Sequence, residues 1–371
     1  MAQSERRSEA IWVESRARWQ INVQKDGKRK TFTSSLTGKK GKHEAEAKAD
    51  KWLETTSSDL RFSVAFEQYL ADVKEKRRTA TYFKYESLGR IWLLPELSRV
   101  YLSEITSHMW QTCIDSMARK GLSKSMCKTM RGLISSFCKY CRKRRLEIDP
   151  PLEGELELPK EAKVYKRKVL HPSDMQVLFT EDTYMCHNRV KKAFYINAWR
   201  FIVVTGLRRS ELAGIRVEDR EGPNVIRIRR AYNSLGEITD GKTENADRYI
   251  ALSPTARSIL DDQRQMLKDN FIISPWMFPD ETGNISDTNH IQRLWNSFRK
   301  QHGIKCTLHE LRRTFVSAVK SDMPEALLRQ QLGHSPDTDS IALYGQEMEG
   351  DIEATAIVIE NVINRLLRNE A

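Results

Sequence analysis

The chain has 371 residues, a formal net charge of +12 at pH 7 and an isoelectric point near 9.3. This length predicts two or three domains rather than one compact core. No apolar stretch approaches the roughly 18 residues that a membrane-spanning helix needs, and the polar N-terminus lacks the apolar run of a secretory signal. The basic excess favours a polyanionic partner, because binding to phosphates releases condensed counterions. Charge alone also fits a soluble protein that is merely basic.

The six cysteines are scattered along the chain, which favours reduced thiols in a cytoplasmic protein over a disulfide framework. Cys138 and Cys141 have the spacing of a zinc-binding pair, but no second pair of cysteines or histidines completes a tetrahedral site. We therefore expect these thiols to be buried on a helix face. The sequence has no carboxylate cluster with ligand spacing and no glycine-rich phosphate loop, so we expect no metal and no nucleotide cofactor.

Residues 11–36 alternate between apolar and polar side chains and break at Asp26-Gly27, which is typical of a β-hairpin. Between Arg16 and Lys42 there are nine Lys or Arg residues and one acidic residue. Helix-forming residues follow, so the segment predicts a small basic β-sheet with a helix packed on it. Such a ribbon fits the major groove of DNA, although charged strands can also serve only to prevent aggregation. The side chains that we expect to contact DNA are Arg18, Lys28, Arg29 and Lys30, together with Gln20 and Asn22.

Residues 60–148 carry apolar side chains at three- and four-residue spacing and are predicted to be helical throughout. Ser123 is expected to cap the last helix, which we expect to finish within residues 142–145, and Asp149-Pro150-Pro151 to stop it. Residues 150–168 predict an extended, charged linker. The last helix carries four consecutive basic residues, more than its dipole explains, and we interpret them as a DNA-binding cluster. These residues are Arg142, Lys143, Arg144 and Arg145.

From His171 onward the pattern becomes mixed α/β. Residues 189–206 predict one largely buried helix, and residues 225–230 and 247–252 predict short strands. Four or five helices are predicted between the second strand and the C-terminus.

Four short motifs lie in this C-terminal half, and their order is more specific than any one of them alone. Residues 205–212 read TGLRRSEL. Lys242-Thr243 is followed by Arg248, the sequence HELRRT begins at His309, and LGHS begins at Leu332. Tyr344 lies ten residues after His334. Singly, each motif has an ordinary structural explanation as a surface ion pair, a loop lysine, a helix cap or a core tyrosine.

Taken in this order, the motifs resemble the catalytic signature of the tyrosine recombinases, the phage integrase family, between Val169 and Tyr344. The resemblance implies a multidomain α+β protein that cuts and rejoins DNA at specific sites and so integrates and excises a mobile element. Its parts would be an arm-type DNA-binding domain (1–58), a helical core-binding domain (59–158) and a mixed α/β catalytic domain (165–371).

The residue types suit this chemistry. Attack at phosphorus places negative charge on the phosphate oxygens, and two guanidinium groups can hold those oxygens through paired hydrogen bonds. Arg208 and Arg312 fit that role. Glu211 is expected to orient an arginine or a histidine rather than to transfer a proton. Arg209, Arg248 and Arg313 are interpreted as residues that pack or contact the backbone.

The remaining roles follow from the resemblance. Tyr344 would be the nucleophile that forms a 3′-phosphotyrosyl bond, and Lys242 would be the general acid toward the departing 5′ oxygen. His309 would hydrogen-bond the phosphate or assist proton transfer, and His334 would stabilise the transition state.

The resemblance also implies partners, namely double-stranded attachment-site DNA, a homotetramer on that DNA, and an accessory DNA-bending or excision factor. The last predicted helix, from Asp351, carries apolar residues along one stripe. This stripe could pack on its own domain or dock on a neighbouring protomer, and we favour the second interpretation.

Two other functions stay open at this point. A type IB topoisomerase uses the same chemistry as a monomer, but the N-terminal ribbon and the short chain argue against it. A DNA-binding protein that has lost catalysis is the other alternative. The joint presence of Arg208, Lys242, Arg312, His334 and Tyr344 argues against that one.

Overall fold

A computed structural model of the chain describes residues 9–25, 28–54, 60–186, 188–239, 247–333 and 350–368. It divides into two compact units, Met1–Tyr165 and Lys166–Ala371. Their buried apolar side chains form three separate clusters, one in the N-terminal segment, one among the helices that follow, and one in the second unit.

The N-terminal segment is a three-stranded antiparallel sheet with one helix packed on it, as predicted. Strand β2 (Arg18–Lys25) lies between β1 (Ile11–Val13) and β3 (Lys28–Ser34). Strands β2 and β3 pair in register from Trp19 and Ser34 to Lys25 and Lys28. Helix α1 (Gly38–Glu54) covers the face of the sheet where Ile21 and Val23 are buried.

The rest of the first unit is helical around an aromatic core. Phe62, Phe66, Trp110 and Phe137 are almost fully buried and contact one another as stacked or edge-on rings. The predicted cap is present, since the hydroxyl of Ser123 accepts a hydrogen bond from the next turn. The helices are α2 (Phe62–Lys76), α3 (Thr79–Leu88), α4 (Leu94–Leu97), α5 (Ser107–Arg119) and α6 (Lys124–Lys143), with a π-helical segment at Gly89–Leu93.

Helix α6 ends at Lys143, inside the basic cluster of residues 142–145 where its end was predicted. Asp149-Pro150-Pro151, which were expected to stop the helix, lie several residues further along the chain. Arg145 adopts a left-handed backbone (φ +55°), and the amide of Leu146 donates to the carbonyl of Cys141. This bond closes the helix from within, several residues before the prolines.

The predicted linker is held against the helical core along part of its length. Leu156 and Ala162 are buried. The side chain of Gln111 donates to the carbonyl of Glu157 and accepts from the amide of the same residue, at 3.2 and 2.9 Å. Residues 155–163 therefore belong to the packed part of the first unit, whereas Val164 and Tyr165 are exposed.

The second unit is mixed α/β around a single apolar core, and it contains antiparallel pairs of short strands, β4–β5, β6–β9 and β7–β8. The strands predicted at residues 225–230 and 247–252 are present and pair with each other. The elements are α7 (Pro172–Thr180), β4 (Thr183–Cys186), β5 (Arg189–Lys192), α8 (Ile196–Thr205), α9 (Arg209–Gly214), β6 (Val225–Ile228), β7 (Ala231–Tyr232), β8 (Ile238–Thr239), β9 (Arg248–Ala251), α10 (Pro254–Asp269), α11 (Thr288–Gln301), α12 (Leu308–Val319), α13 (Glu325–Leu332) and α14 (Asp351–Leu367).

The prediction of one long helix over residues 189–206 is wrong for the first half of that range. Residues Arg189–Lys192 form β5, which pairs with β4, and the helix begins at Ile196. The amide of Ala193 donates to the carbonyl of Asp182, which closes the hairpin before the helix can start.

The C-terminal helix α14 packs on its own domain. Ile359, Val362 and Ile363 are buried in the core of the second unit, and Glu360 accepts hydrogen bonds from the amide and hydroxyl of Thr255. The stripe for which we favoured docking on a neighbouring protomer is therefore covered by the helix's own domain. Among the residues that the structure describes, no helix combines the length and apolar character needed to cross a bilayer.

Candidate active site

The first motif forms the tight turn between α8 and α9. Gly206 ends α8 with φ +72°, and a Cβ at this position would lie 2.5 Å from the Phe315 ring. The carboxylate of Glu211 accepts a hydrogen bond from the amide of Arg208 at 2.9 Å and so caps α9. The turn therefore fixes the backbone of Arg208 while its side chain remains 41% exposed.

The Glu211 carboxylate is the centre of a buried charge cluster. One oxygen accepts from the guanidinium groups of Arg208 (2.6 Å) and Arg248 (3.3 Å), and the other accepts from the Arg208 amide and from Arg248 at 3.1 Å. Burial alone would raise the pKa of Glu211, but Arg248 and then Arg208 outweigh it, so the pKa lies below its ordinary value. The carboxylate is thus ionised and accepts two hydrogen bonds on each oxygen.

Arg312 is buried beside this carboxylate but bonds elsewhere. Its guanidinium donates to the carbonyls of Gly206 (2.6 Å) and Leu332 (2.9 Å), and it lies 3.9 Å from Glu211. Burial and the nearby Arg208 lower the pKa of Arg312 to about 10, which leaves it charged at neutral pH. Arg312 is therefore held by the backbone of two different motifs.

Gln331 ties the same elements together. Its side-chain nitrogen donates to the carbonyl of Thr205 at 3.2 Å, and its side-chain oxygen accepts from the amide of Ala251 at 2.9 Å. Its own carbonyl accepts from Nε of Arg248 at 3.2 Å. Through these bonds the ends of α8, β9 and α13 meet at one place, although they are far apart in sequence.

Arg208 and Arg312 both line a cleft of about 580 Å³ in the second unit. His309 also lines this cleft. Its partial burial, and then the charges of Arg313 and Arg312, lower the pKa of His309 below its ordinary value, so the ring is neutral at pH 7. A concave surface with so many guanidinium and ammonium groups favours an anion such as a phosphodiester. The lining residues are Arg167, Lys168, Val169, Arg208, His309, Arg312, Arg313, Val316 and Ser317.

The structure thus brings together Arg208, Glu211 and Arg312 and places His309 at the same cleft. Lys242, His334 and Tyr344 lie outside the described residues. From its sequence context Arg248 was expected only to pack or contact the backbone, and no role was predicted for Gln331. The only sequence signal for Arg248 was its position after Lys242-Thr243, and Gln331 had none, because its three contacts join residues that are distant along the chain.

The proposed DNA-contacting residues of the N-terminal sheet lie on two different faces. Lys30 pairs with Val23 and so lies on the helix side, with its Nζ 5.6 Å from the centre of the Phe32 ring. Arg29 has the opposite orientation and lies with Gln20 and Asn22 on the face that α1 does not cover, called the uncovered face below. Arg18, paired with Val13, belongs to that uncovered face as well. The side chain of Lys28 is not among the described ones.

The basic cluster at the end of α6 is exposed, but one member has protein partners. Arg144 forms an ion pair with Asp72 at 3.3 Å, and its guanidinium lies over the Tyr140 ring at 5.1 Å. Arg142, Lys143 and Arg145 are exposed. Nearby on α6, Cys138 and Cys141 are buried, and burial raises the pKa of both thiols to about 12.

Residues 168–347 match the model of the phage integrase family. This span contains the turn at Arg208, the HELRRT helix and Tyr344. Residues 168–347 are therefore a domain of the phage integrase family, and the chain is a site-specific DNA recombinase of the tyrosine type. No curated protein matches the sequence.

The fold is similar to those of solved integrases. A fragment of the Tn1549 transposon integrase, in complex with transposon right end DNA, has a TM-score of 0.60 and 19% identity, over 80% of this chain and 98% of that one. A lambda integrase tetramer bound to a Holliday junction has a TM-score of 0.58 and 13% identity, over 92% and 98%. A lambda integrase dimer bound to a COC′ core site has a TM-score of 0.56 and 15% identity, over 93% and 99%. The predicted multidomain α+β fold is thereby confirmed.

Proposed function

We propose that this recombinase cuts and rejoins DNA through a 3′-phosphotyrosyl bond to Tyr344 and so integrates and excises a mobile element. The observation that carries the proposal is the convergence of Arg208 and Arg312 at one cleft of a phage integrase domain, both within 4 Å of the Glu211 carboxylate. Two charged guanidinium groups at one cleft can hold the non-bridging oxygens of a phosphodiester as negative charge develops on them.

The strand cleavage that we propose balances without a cofactor. The phenolic oxygen of Tyr344 attacks phosphorus and gives its proton to water, the bond from phosphorus to the 5′ oxygen breaks, and Lys242 supplies a proton to that oxygen. Religation is the reverse reaction with a new 5′ hydroxyl. Because the covalent link preserves the phosphoester, no ATP is needed.

We assign the two histidines to the phosphate. His309 is neutral at pH 7, so it would act through a hydrogen bond to the phosphate or in proton transfer rather than as a fixed cation. His334 would stabilise the transition state from the segment that follows α13.

We also propose how the rest of the chain grips its substrate, double-stranded attachment-site DNA. Residues 1–58 would bind arm-type sites, residues 59–158 would hold the core site with the basic end of α6, and residues 165–371 would carry out catalysis. The uncovered, polar face of the N-terminal sheet supports the first assignment. The likeness of nearly the whole chain to a lambda integrase tetramer on a Holliday junction supports a homotetramer on DNA. An accessory DNA-bending or excision factor and a cytoplasmic location complete the proposal.

A nicked suicide substrate tests the proposed function. Such DNA loses a short 5′ fragment after cleavage, so a covalent protein–DNA complex accumulates. Transfer of the strand to a partner duplex that carries the same core site distinguishes an integrase from a topoisomerase, which would relax supercoiled DNA regardless of sequence. A protein that binds the site but never becomes covalently attached would contradict the proposal.

A further inference from the structure

Arg248 is the most enclosed partner of Glu211. Its side chain is 6% exposed, against 41% for that of Arg208, and it is not among the residues that line the cleft. Its Nε bonds the carbonyl of Gln331, and a Cβ on Gly333 would lie 2.8 Å from its Nη1. The guanidinium is therefore confined between Glu211, the end of α13 and Gly333.

The number of hydrogen bonds that the Glu211 carboxylate can accept explains why Arg312 does not bond it. An ionised carboxylate accepts about four hydrogen bonds. On Glu211, two come from Arg208 and two from Arg248. The acceptor sites are thus filled, and Arg312, 3.9 Å away, donates to the carbonyls of Gly206 and Leu332 instead.

Removing Arg248 would change this balance. The buried carboxylate would lose two of its four donors and its largest source of positive charge. A buried, uncompensated charge is strongly unfavourable, so the carboxylate would draw in another cation. Arg312 lies nearest, and to reach Glu211 it would have to leave the carbonyls that now fix it.

We propose that Arg248 is a positioning residue that fills the acceptor sites of Glu211 and thereby keeps Arg312 in place for the phosphate. Arg248 does not line the cleft, so this role is distinct from catalysis. The proposal rests on the proposed function of Arg312.

A double-mutant comparison tests this role. Arg248→Met is introduced both into the native protein and into the Glu211→Gln variant. For each protein we measure the single-turnover rate of suicide-substrate cleavage at saturating DNA and, separately, the DNA affinity. In the native background we expect cleavage to slow by about 10²-fold, with affinity within about threefold. In Glu211→Gln, where no buried charge attracts Arg312, the same substitution should slow cleavage by less than about tenfold. Equal losses in both backgrounds would overturn the proposal.

A matched control separates positioning from general damage to the fold. Arg230 binds the buried carboxylate of Asp219 at 2.9 Å in the same unit but away from the cleft. Arg230→Met should leave the cleavage rate unchanged at temperatures where the variant is folded. If this variant slows cleavage as much as Arg248→Met does, the proposal is overturned. If Arg248→Met does not fold, Arg248→Lys in the same two backgrounds carries the comparison.

A structural measurement keeps this inference separate from the proposed function. If the wild-type protein forms no covalent complex, the proposed function fails, and crystal structures of Arg248→Met and Arg248→Lys then decide the role of Arg248. We expect the Arg312 guanidinium within hydrogen-bond distance of Glu211. An Arg312 that remains on the carbonyls of Gly206 and Leu332 in both variants would overturn the inference.

Discussion

Arg312 and Glu211 lie 3.9 Å apart, an opposite-charge pair that is in contact without a hydrogen bond. Arg312 donates instead to the carbonyls of Gly206 and Leu332, so the two motifs that flank it determine where its charge lies. Arg208 differs, because it is tied to Glu211 and its side chain is exposed at the cleft. The two arginines that we assign to the phosphate are thus held in different ways, and their variants should behave differently.

Replacing either arginine by alanine should slow cleavage on the order of 10²–10³-fold, the usual effect of losing one transition-state contact. The effects on stability should diverge. Arg312→Ala leaves two carbonyls without their donor and should lower the free energy of unfolding by roughly 2–3 kcal/mol. Arg208→Ala should lower it by less, about 1 kcal/mol, because the Arg208 side chain is half-exposed and Glu211 keeps the Arg208 amide and both Arg248 donors. Urea unfolding and single-turnover cleavage check both expectations, and an Arg312→Ala protein with native stability would contradict the structure of the cluster.

Tyr344→Phe should abolish the covalent complex and leave DNA binding nearly intact, since only the attacking oxygen is lost. Denaturing gels of the suicide reaction measure the first property, and gel shifts on the same DNA measure the second. Tyr232→Phe, a tyrosine packed against the core of the second unit, serves as the control and should cleave normally. A Tyr344→Phe protein that still becomes attached to nicked DNA would show that the nucleophile is another residue.

Gly206→Ala should destabilise the second unit through a steric clash. A Cβ at this position would lie 2.5 Å from a buried Phe315 atom, in addition to the strain of its positive φ. We expect a loss of roughly 2–4 kcal/mol in the free energy of unfolding. Gly303 has the same φ of +72° with nothing within 4 Å, so Gly303→Ala isolates the strain and should lose only about 1 kcal/mol. Equal losses in the two variants would mean that the turn relaxes around Phe315.

The pKa of His309 predicts a dependence of stability on pH. Burial and the surrounding arginines lower this pKa below its ordinary 6.5, so the unfolded chain binds more protons than the folded protein just below that value. The free energy of unfolding should therefore fall as the pH drops through about 6.5, and His309→Asn should fall less steeply in that window. At about pH 8 the His309 ring is neutral in both the folded and the unfolded protein. The difference in stability between the two proteins at that pH therefore measures the change in packing alone. Parallel pH profiles for the two proteins would contradict the lowered pKa.

The two faces of the N-terminal sheet predict different DNA-binding defects. Gln20→Ala, on the uncovered face, should weaken binding to arm sites by about 1–3 kcal/mol and leave non-specific binding unchanged. Lys30→Ala, on the helix side, should weaken binding to all sequences alike and reduce its salt dependence. Footprinting and salt titrations of the full chain measure both effects.

Deleting residues 1–58 should keep cleavage of a core site and remove protection of the arm sites, because the assigned catalytic residues all lie beyond Val169. If the deletion leaves the footprint on attachment DNA unchanged, or if the sheet binds every sequence equally, the arm-binding assignment is wrong.

Local sequence patterns were sufficient where the controlling interactions are local. Asp26-Gly27 predicted the hairpin, Ser123 predicted the cap of α6, and alternation predicted the strands β6 and β9. The order of the four motifs was enough to recognise the family, because the residue types that phosphoryl transfer requires stand at spacings that are improbable together by chance.

Tertiary contacts decided the rest. The bond from the Leu146 amide to Cys141 ended α6 before the prolines, and pairing of β4 with β5 displaced the start of α8 to Ile196. Strand register placed Lys30 on the helix side of the sheet, which basic composition cannot reveal.

The same holds for the site itself. Motifs named Arg208, Glu211 and Arg312, but the roles of Arg248 and Gln331 emerged only when β9 and α13 met, through bonds that span about 80 residues of sequence. A sequence motif records which groups the chemistry requires. The partners that fill the acceptor sites of a buried carboxylate depend on distances across the folded core, and only the tertiary structure determines those distances.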